Sequence, residues 1–296
     1  MQTGAHVSRL RGFTLSPATF RTIALANVFT LLVVVATGAT VRLTASGLGC
    51  RHWPGCQAGA FLPDKGYHSY VEFSNRVVAG FTVTIALLTL VAALLTPLQR
   101  WVRWVAFAAL LGGALQAPLG KITVDHKLDP RLVMTHYLLS IVVLGLGTVV
   151  ALEVWNVGGI PEKRDVRALA GLVAVACATL VVTGTFATAS GPHSGSVAVP
   201  RVWSFHPAIW LHVRATAVFG LAFALVIFLL VRRRSSNVRV AIVVLAVLAA
   251  QMIVGEVQYR THLPWWLVLV HVTMAAVVWA VTVALVFAVS RPRRMA

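Results

Sequence analysis

The chain has 296 residues, of which 58% are apolar and only 11% charged, with a mean hydropathy of +0.85. Soluble domains carry about 25% charged residues, so the composition excludes a soluble enzyme and indicates a polytopic membrane protein. The formal charge of +17 would suit a nucleic-acid partner, but the basic residues cluster between apolar runs, which is a pattern of membrane topology.

The basic, acid-free segment 1–21, MQTGAHVSRLRGFTLSPATFR, has the composition of a weak transit peptide. It leads into about 20 apolar residues without an A-x-A cleavage site, and reads as a cytoplasmic tail before an uncleaved first span. A hydrocarbon core about 30 Å thick takes a helix of about 20 residues. Eight stretches qualify: 22–41, 73–96, 102–120, 132–153, 167–187, 208–231, 238–257 and 265–289. The fold is therefore all-α with eight transmembrane helices. The third span is the shortest and holds Gly112, Gly113, Pro118 and Gly120, which a membrane helix tolerates when its neighbours satisfy the freed backbone groups.

Of the 25 Lys and Arg, 15 fall within 9–21, 100–103, 163–167, 232–239 and 291–294. The positive-inside rule makes these segments and both termini cytoplasmic. The loops near 43–71, 121–130, 188–207 and 258–264 then face outside. Trp101, Trp104, Trp155, Trp203, Trp210, Trp265 and Trp266 lie near span ends, as an interfacial aromatic belt requires.

The two halves resemble each other. TGATVRLTASG (37–47) leaves the first span and TGTFATASG (183–191) leaves the fifth, setting Gly38 and Gly184 apart by 146. LQAPLGKITVDHKLDP ends the third span and AQMIVGEVQYRTHLP the seventh; Gly120 and Gly255 are 135 apart, as are His136 and His271 in the spans that follow. A repeat of four spans preserves orientation, so the duplication is parallel, about an axis along the membrane normal. The expected domains are two four-helix bundles, 22–153 and 167–289, joined by a cytoplasmic linker at 154–166 and followed by a tail at 290–296. Bundle interiors are where facing helices build cofactor sites.

Three of the ten histidines, His136, His212 and His271, lie inside spans, one to two turns below the outer surface. An ionisable residue inside a span is costly and marks function. A single histidine would equally serve as a hydrogen bond between helices; three at matched depth, two of them repeat-equivalent, point to metal ligands. His212 and His271 come from alternate helices of one bundle and would face each other across a planar cofactor. No carboxylate cluster or thiolate accompanies them, since Cys177 stands alone and reads as a small packing residue. Two imidazoles suit a bis-His heme iron; copper would want a third ligand.

In the first half the counterpart of His212 is Asn75, and Glu72 shares its helix face. The site there would combine His136, Asn75 and Glu72, a single imidazole leaving iron an open position. The competing reading pairs Glu72 with Arg76 at i,i+4, capping a wet helix start. The outer loop SGLGCRHWPGCQAG holds Cys50 and Cys56 on the oxidising side, where disulfides persist. A bridge would close a seven-residue loop, worth about 2 kcal/mol in chain entropy; the pair would otherwise serve as thiols that exchange electrons or bind metal.

The motifs TGATVRLTASGLGCRHWPGC, VEFSNRVVAG, LGKITVDHKLDPRLVMTHYLLS, TGTFATASGPHSG and LPWWLVLVHV together resemble the heme A synthase family across about residues 20–290. The resemblance implies an enzyme of cytochrome oxidase assembly in a bacterial plasma membrane, which oxidises the C8 methyl of heme O to a formyl group by successive hydroxylations. It implies a heme b cofactor between His212 and His271, the heme O substrate at His136 with Glu72 as the acidic catalytic residue, and a redox or heme-delivery role for Cys50 and Cys56. The chain departs from the family at Asn75, where many members carry histidine, and lacks a second-loop cysteine pair. Implied partners are the heme O-making prenyltransferase, electron donor or acceptor proteins, membrane lipid and a further copy of the chain, with no nucleic acid. The alternative is a two-heme b-type electron-transfer protein without heme-modifying chemistry. A transporter fits less well, because its polar sites lie near the midplane.

Overall fold

A computed structural model describes residues 15–63, 66–157, 161–195 and 199–291. The expected tails lie largely outside these residues, including Arg9, Arg11, Arg293 and Arg294. Eight helices follow in order: α1 (Pro17–Leu43), α2 (Tyr67–Leu95), α3 (Arg100–Asp125), α4 (Pro130–Val154), α5 (Arg164–Ser190), α6 (Phe205–Arg232), α7 (Val238–Arg260) and α8 (Trp265–Ser290). All eight are long and apolar enough to cross a membrane, and no strand of a sheet occurs among the described residues.

The helices overrun most of the predicted spans, because their ends are polar turns that hydropathy does not register. α1 begins at Pro17, where Ser16 accepts the Thr19 N–H and proline has no N–H to satisfy. Asp129 and Pro130 start α4 in the same way, with Asp129 accepting from the Arg131 N–H. The α3 C-terminus runs five residues past the predicted span. The helix keeps Pro118 inside it and continues to Asp125, where Lys121 and Asp125 pair at 2.5 Å on its exposed last turn.

The first four helices close a ring in which α1 packs on α2 and α4, and α3 also packs on both. Among the last four, α5 packs on α6 and α8, and α7 on α8, whereas α6 and α7 barely touch. The two groups meet where α8 packs on α1 and α4, and α4 on α5. That junction is an apolar core in which Leu31, Val35, Ile141 and Leu144 meet Val181 and Ala276. Small residues admit the close approach: a Cβ on Gly145 would stand 2.9 Å from Trp279 Nε1 across the junction, and within the first group one on Gly147 would stand 2.8 Å from Leu31 Cδ1. Large exposed apolar side chains, among them Phe29, Leu94, Leu172, Leu221 and Ile253, coat the outside as a lipid-facing surface would.

The end of the molecule that carries the basic clusters is tied by polar contacts. Arg233 pairs with Asp165, Asn237 donates to Glu162 at 2.9 Å, and the Arg291 guanidinium lies 4.3 Å from the Trp101 ring centre. The opposite end joins the two groups through loops. Arg42 Nη1 donates to the His193 carbonyl at 2.5 Å, and His193 Nε2 sits 3.0 Å from the Leu263 carbonyl.

Candidate functional site

His212 and His271 meet inside the second group of helices. They are the eighth residue of α6 and the seventh of α8, helices that lie diagonally across the group. Their ring centres are 6.4 Å apart, with planes at 79°. An imidazole nitrogen sits about 2 Å from its metal, so two rings on opposite sides of one ion have centres about 6 Å apart. The observed spacing fits.

Neighbouring helices set both rings. A Cβ on Gly184 of α5 would stand 2.9 Å from His212 Cε1, and one on Gly255 of α7 3.0 Å from His271 Cε1; any larger residue would push the imidazole aside. Thr183, next to Gly184, sets the tautomer of His212. Its hydroxyl donates its one proton to the Leu180 carbonyl at 3.0 Å, so towards His212 Nδ1, 3.3 Å away, it acts as an acceptor. His212 therefore carries its proton on Nδ1 and keeps the Nε2 lone pair for a ligand. Gln251 of α7 donates to the His271 carbonyl at 3.0 Å, and its Nε2 lies 3.2 Å from the His271 Nε2.

The same contacts recur in the first group. His136, the seventh residue of α4, lies against Gly120 of α3, whose Cβ would be 3.5 Å from His136 Cε1. Gln116 of α3 donates to the His136 carbonyl at 3.1 Å and to Ser140 Oγ at 2.6 Å. Asn75 of α2 sits beside Gly38 of α1 and accepts from the Thr37 hydroxyl at 2.7 Å. Thr37 and Thr183 are separated by 146, Gln116 and Gln251 by 135, the separations of the paired glycines and histidines. The buried polar atoms left without partners match too: His136 Nδ1 with His271 Nδ1, and Gln116 Oε1 with Gln251 Oε1. Buried polar groups are normally satisfied, and here the equivalent positions of the two groups leave the same atoms unpartnered. Sequence reading singled out the glycines and histidines but missed Thr37, Thr183, Gln116 and Gln251. The shared offsets were the signal that pointed to them.

Glu72, one turn before Asn75 on α2, is held by the outer loop and Arg76. It is 5% exposed, although Tyr67 and Tyr70 in the turn before it are exposed. Its Oε2 accepts the Cys50 N–H at 2.8 Å, and its Oε1 accepts Arg76 Nη2 at 2.6 Å. Arg76 Nη1 in turn donates to the carbonyls of His52, Gly55 and Pro54 at 2.7, 2.5 and 3.2 Å. Cys50 and Cys56 form a disulfide that packs on Phe73, with Phe61 edge-on to Phe73 at 5.4 Å. Among the described residues, Glu72 is the one buried acid, and it links α2 to the disulfide loop. Cys177 is buried with a free thiol, as expected of a packing residue. Outside this core, Trp203, His206, Trp210 and Arg214 help line a groove of about 370 Å³ on the α6 side.

The profile of a family described as cytochrome oxidase assembly protein, COX15-CtaA, matches residues 21–66 and 59–283. The heme A synthase of Symbiobacterium thermophilum is 28% identical over 284 residues, covering 88% of this chain and 92% of that protein. Those of Bacillus pumilus and Shewanella oneidensis are 30% and 33% identical over 139 and 130 residues, covering 46% and 38% of this chain and 45% and 38% of theirs.

Proposed function

The chain belongs to the COX15-CtaA family of cytochrome oxidase assembly proteins, and from that premise we propose that it is a heme A synthase, a membrane oxidoreductase that converts heme O to heme A. The observation that carries the reading is the paired site: matching ligand-type residues, glycines and orphaned polar atoms in both halves, within a chain similar over 88% of its length to a heme A synthase. We assign it to the bacterial plasma membrane, where its relatives' organisms would house it, with the heme O-making prenyltransferase and redox proteins as partners.

In this reading the two helix groups are a parallel duplication with divided roles. His212 and His271 hold a heme b cofactor: Thr183 keeps the His212 proton on Nδ1, and Gln251 anchors the His271 backbone. His136 holds the heme O substrate, with Gln116 anchoring its backbone in the same way. When bound, the hemes supply the one-electron iron chemistry and the C8 methyl that is oxidised. The apolar walls of each group exclude bulk water, so a proton entering or leaving needs a resident carrier. Glu72 is assigned that role, because it is a buried carboxylate beside the outer loop. It would exchange its Cys50 N–H for a proton at Oε2 while Arg76 keeps Oε1.

The test is expression in a host that makes heme O but not heme A, followed by pigment extraction. Heme A or its hydroxylated precursor should appear above the empty-vector control; its absence from a well-expressed protein overturns the assignment. Glu72→Gln should keep the heme b spectrum and lose turnover by about 100-fold or more, the scale of general acid–base assistance. An active Glu72→Gln enzyme removes the proton role alone.

A further inference from the structure

His212 and His271 face each other in the second group, and their counterparts by repeat position in the first are Asn75 and His136. We infer that His136 alone holds iron in the first helix group, and that the Thr37–Asn75 pair covers its second face without ligating it, leaving a sixth position for an exogenous ligand. This rests on reading the first group as a heme site.

Position, polarity and fit support the inference. Asn75 occupies the place of His212, as shown by its neighbours: Gly38 and Thr37 stand to it as Gly184 and Thr183 stand to His212. The polarity of the contact is reversed. Thr183 gives its proton to Leu180 and accepts from the histidine ring, which frees a ring lone pair. Thr37 also lies 3.2 Å from the Val34 carbonyl, but its shorter contact, 2.7 Å, runs to Asn75 Oδ1. One hydroxyl has one proton, and the shorter bond takes it. The Asn75 oxygen is thereby tied towards α1. Its Nδ2 forms no hydrogen bond to any described residue, and an amide NH2 donates hydrogen bonds but has no lone pair to offer a metal.

The fit is looser as well. A Cβ on Gly38 would lie 3.8 Å from Asn75 Oδ1, against 2.9 Å between Gly184 and the His212 ring. α1 therefore does not press Asn75 inwards as α5 presses His212, and the side chain is shorter than an imidazole. An N–H donor facing an open iron position would favour a ligand that accepts hydrogen bonds, and cyanide is the natural probe.

The experiment uses the full-length protein in detergent. His212→Ala, with His271→Ala as a parallel variant, removes the second-group heme; ferric heme is then added and read by absorption and electron paramagnetic resonance. The expected spectrum is high-spin, dependent on His136, and converted to low-spin by cyanide or imidazole. Asn75→His in the same background should be low-spin without additions and weaken imidazole binding by about tenfold or more, because the added ligand must displace an internal one. A low-spin heme that needs His136 while Asn75 is intact means a second protein ligand, and overturns this inference alone. No His136-dependent heme binding overturns the first-group heme site together with it. Wild-type protein holding two hemes should show low-spin and high-spin signals in equal amounts, which decides the question if neither alanine variant folds.

Discussion

At the residue scale the site is defined by what lies behind each imidazole. A histidine in an apolar helix has several rotamers and two tautomers, and its neighbours select among them. Gly184 and Gly255 select the rotamer by leaving room for the ring on one side, and Thr183 selects the tautomer. With His212 assigned to heme as proposed above, Gly184→Val should act like a substitution of His212 itself although that histidine is unchanged. Its methyls would enter the space of the His212 ring, costing about 1–3 kcal/mol of overpacking or displacing the ring. The expected result is purified protein with unchanged helical circular dichroism and at least half of its low-spin heme lost, measured as heme per polypeptide. Full heme retention would show that the ring does not need that space. The histidines were legible because an ionisable group in a span is conspicuous. Thr183 and Gln251 were not, because threonine and glutamine carry no charge and acquire a role only once another helix faces them.

At the scale of elements, the outer loop and the first turns of α2 form one unit. Arg76 satisfies three loop carbonyls and one buried carboxylate, and Ser69 adds a hydrogen bond to the Gly49 carbonyl at 2.8 Å. Arg76→Ala would leave Glu72 buried beside a single N–H donor. Breaking a buried pair from one side costs about 3–5 kcal/mol, so the loop should detach before the bundle melts. The expected readout is faster reduction and alkylation of Cys50 and Cys56 in the variant, with a lowered midpoint in a thermal melt. Unchanged thiol accessibility would mean that the disulfide loop holds itself. The sequence offered two roles for Glu72, a pocket wall beside Asn75 or a partner for Arg76. The structure shows the pairing with Arg76, with Glu72 buried where the disulfide loop folds back onto it. Hydropathy found all eight helices but placed many of their ends short, since capping residues and exposed last turns are polar.

At the scale of the whole molecule, the arrangement is eight helices in two groups of four, the first a closed ring and the second open between α6 and α7, joined through α1, α4, α5 and α8. The basic clusters lie at one end and the disulfide loop at the other. The positive-inside rule predicts that the basic end is cytoplasmic. Single cysteines placed at His126 and His262, in a protein whose Cys177 is replaced by serine, should react with a membrane-impermeant maleimide on intact cells. One at Ser236 should react only after the cells are opened, and reversal of that pattern would invert the topology.

The sequence by itself determined the class of fold, the number of spans, the internal offsets and the family, because apolar length, charge bias and repeated spacing are properties of the chain read in one dimension. Tertiary structure alone decided which groups meet. The 6.4 Å opposition of His212 and His271, the pairing of Thr37 with Asn75 and the capture of Glu72 by the Cys50 N–H each join residues on different segments. Their distances depend on how closely helices approach, and that is set by glycines packing against side chains far away in the sequence.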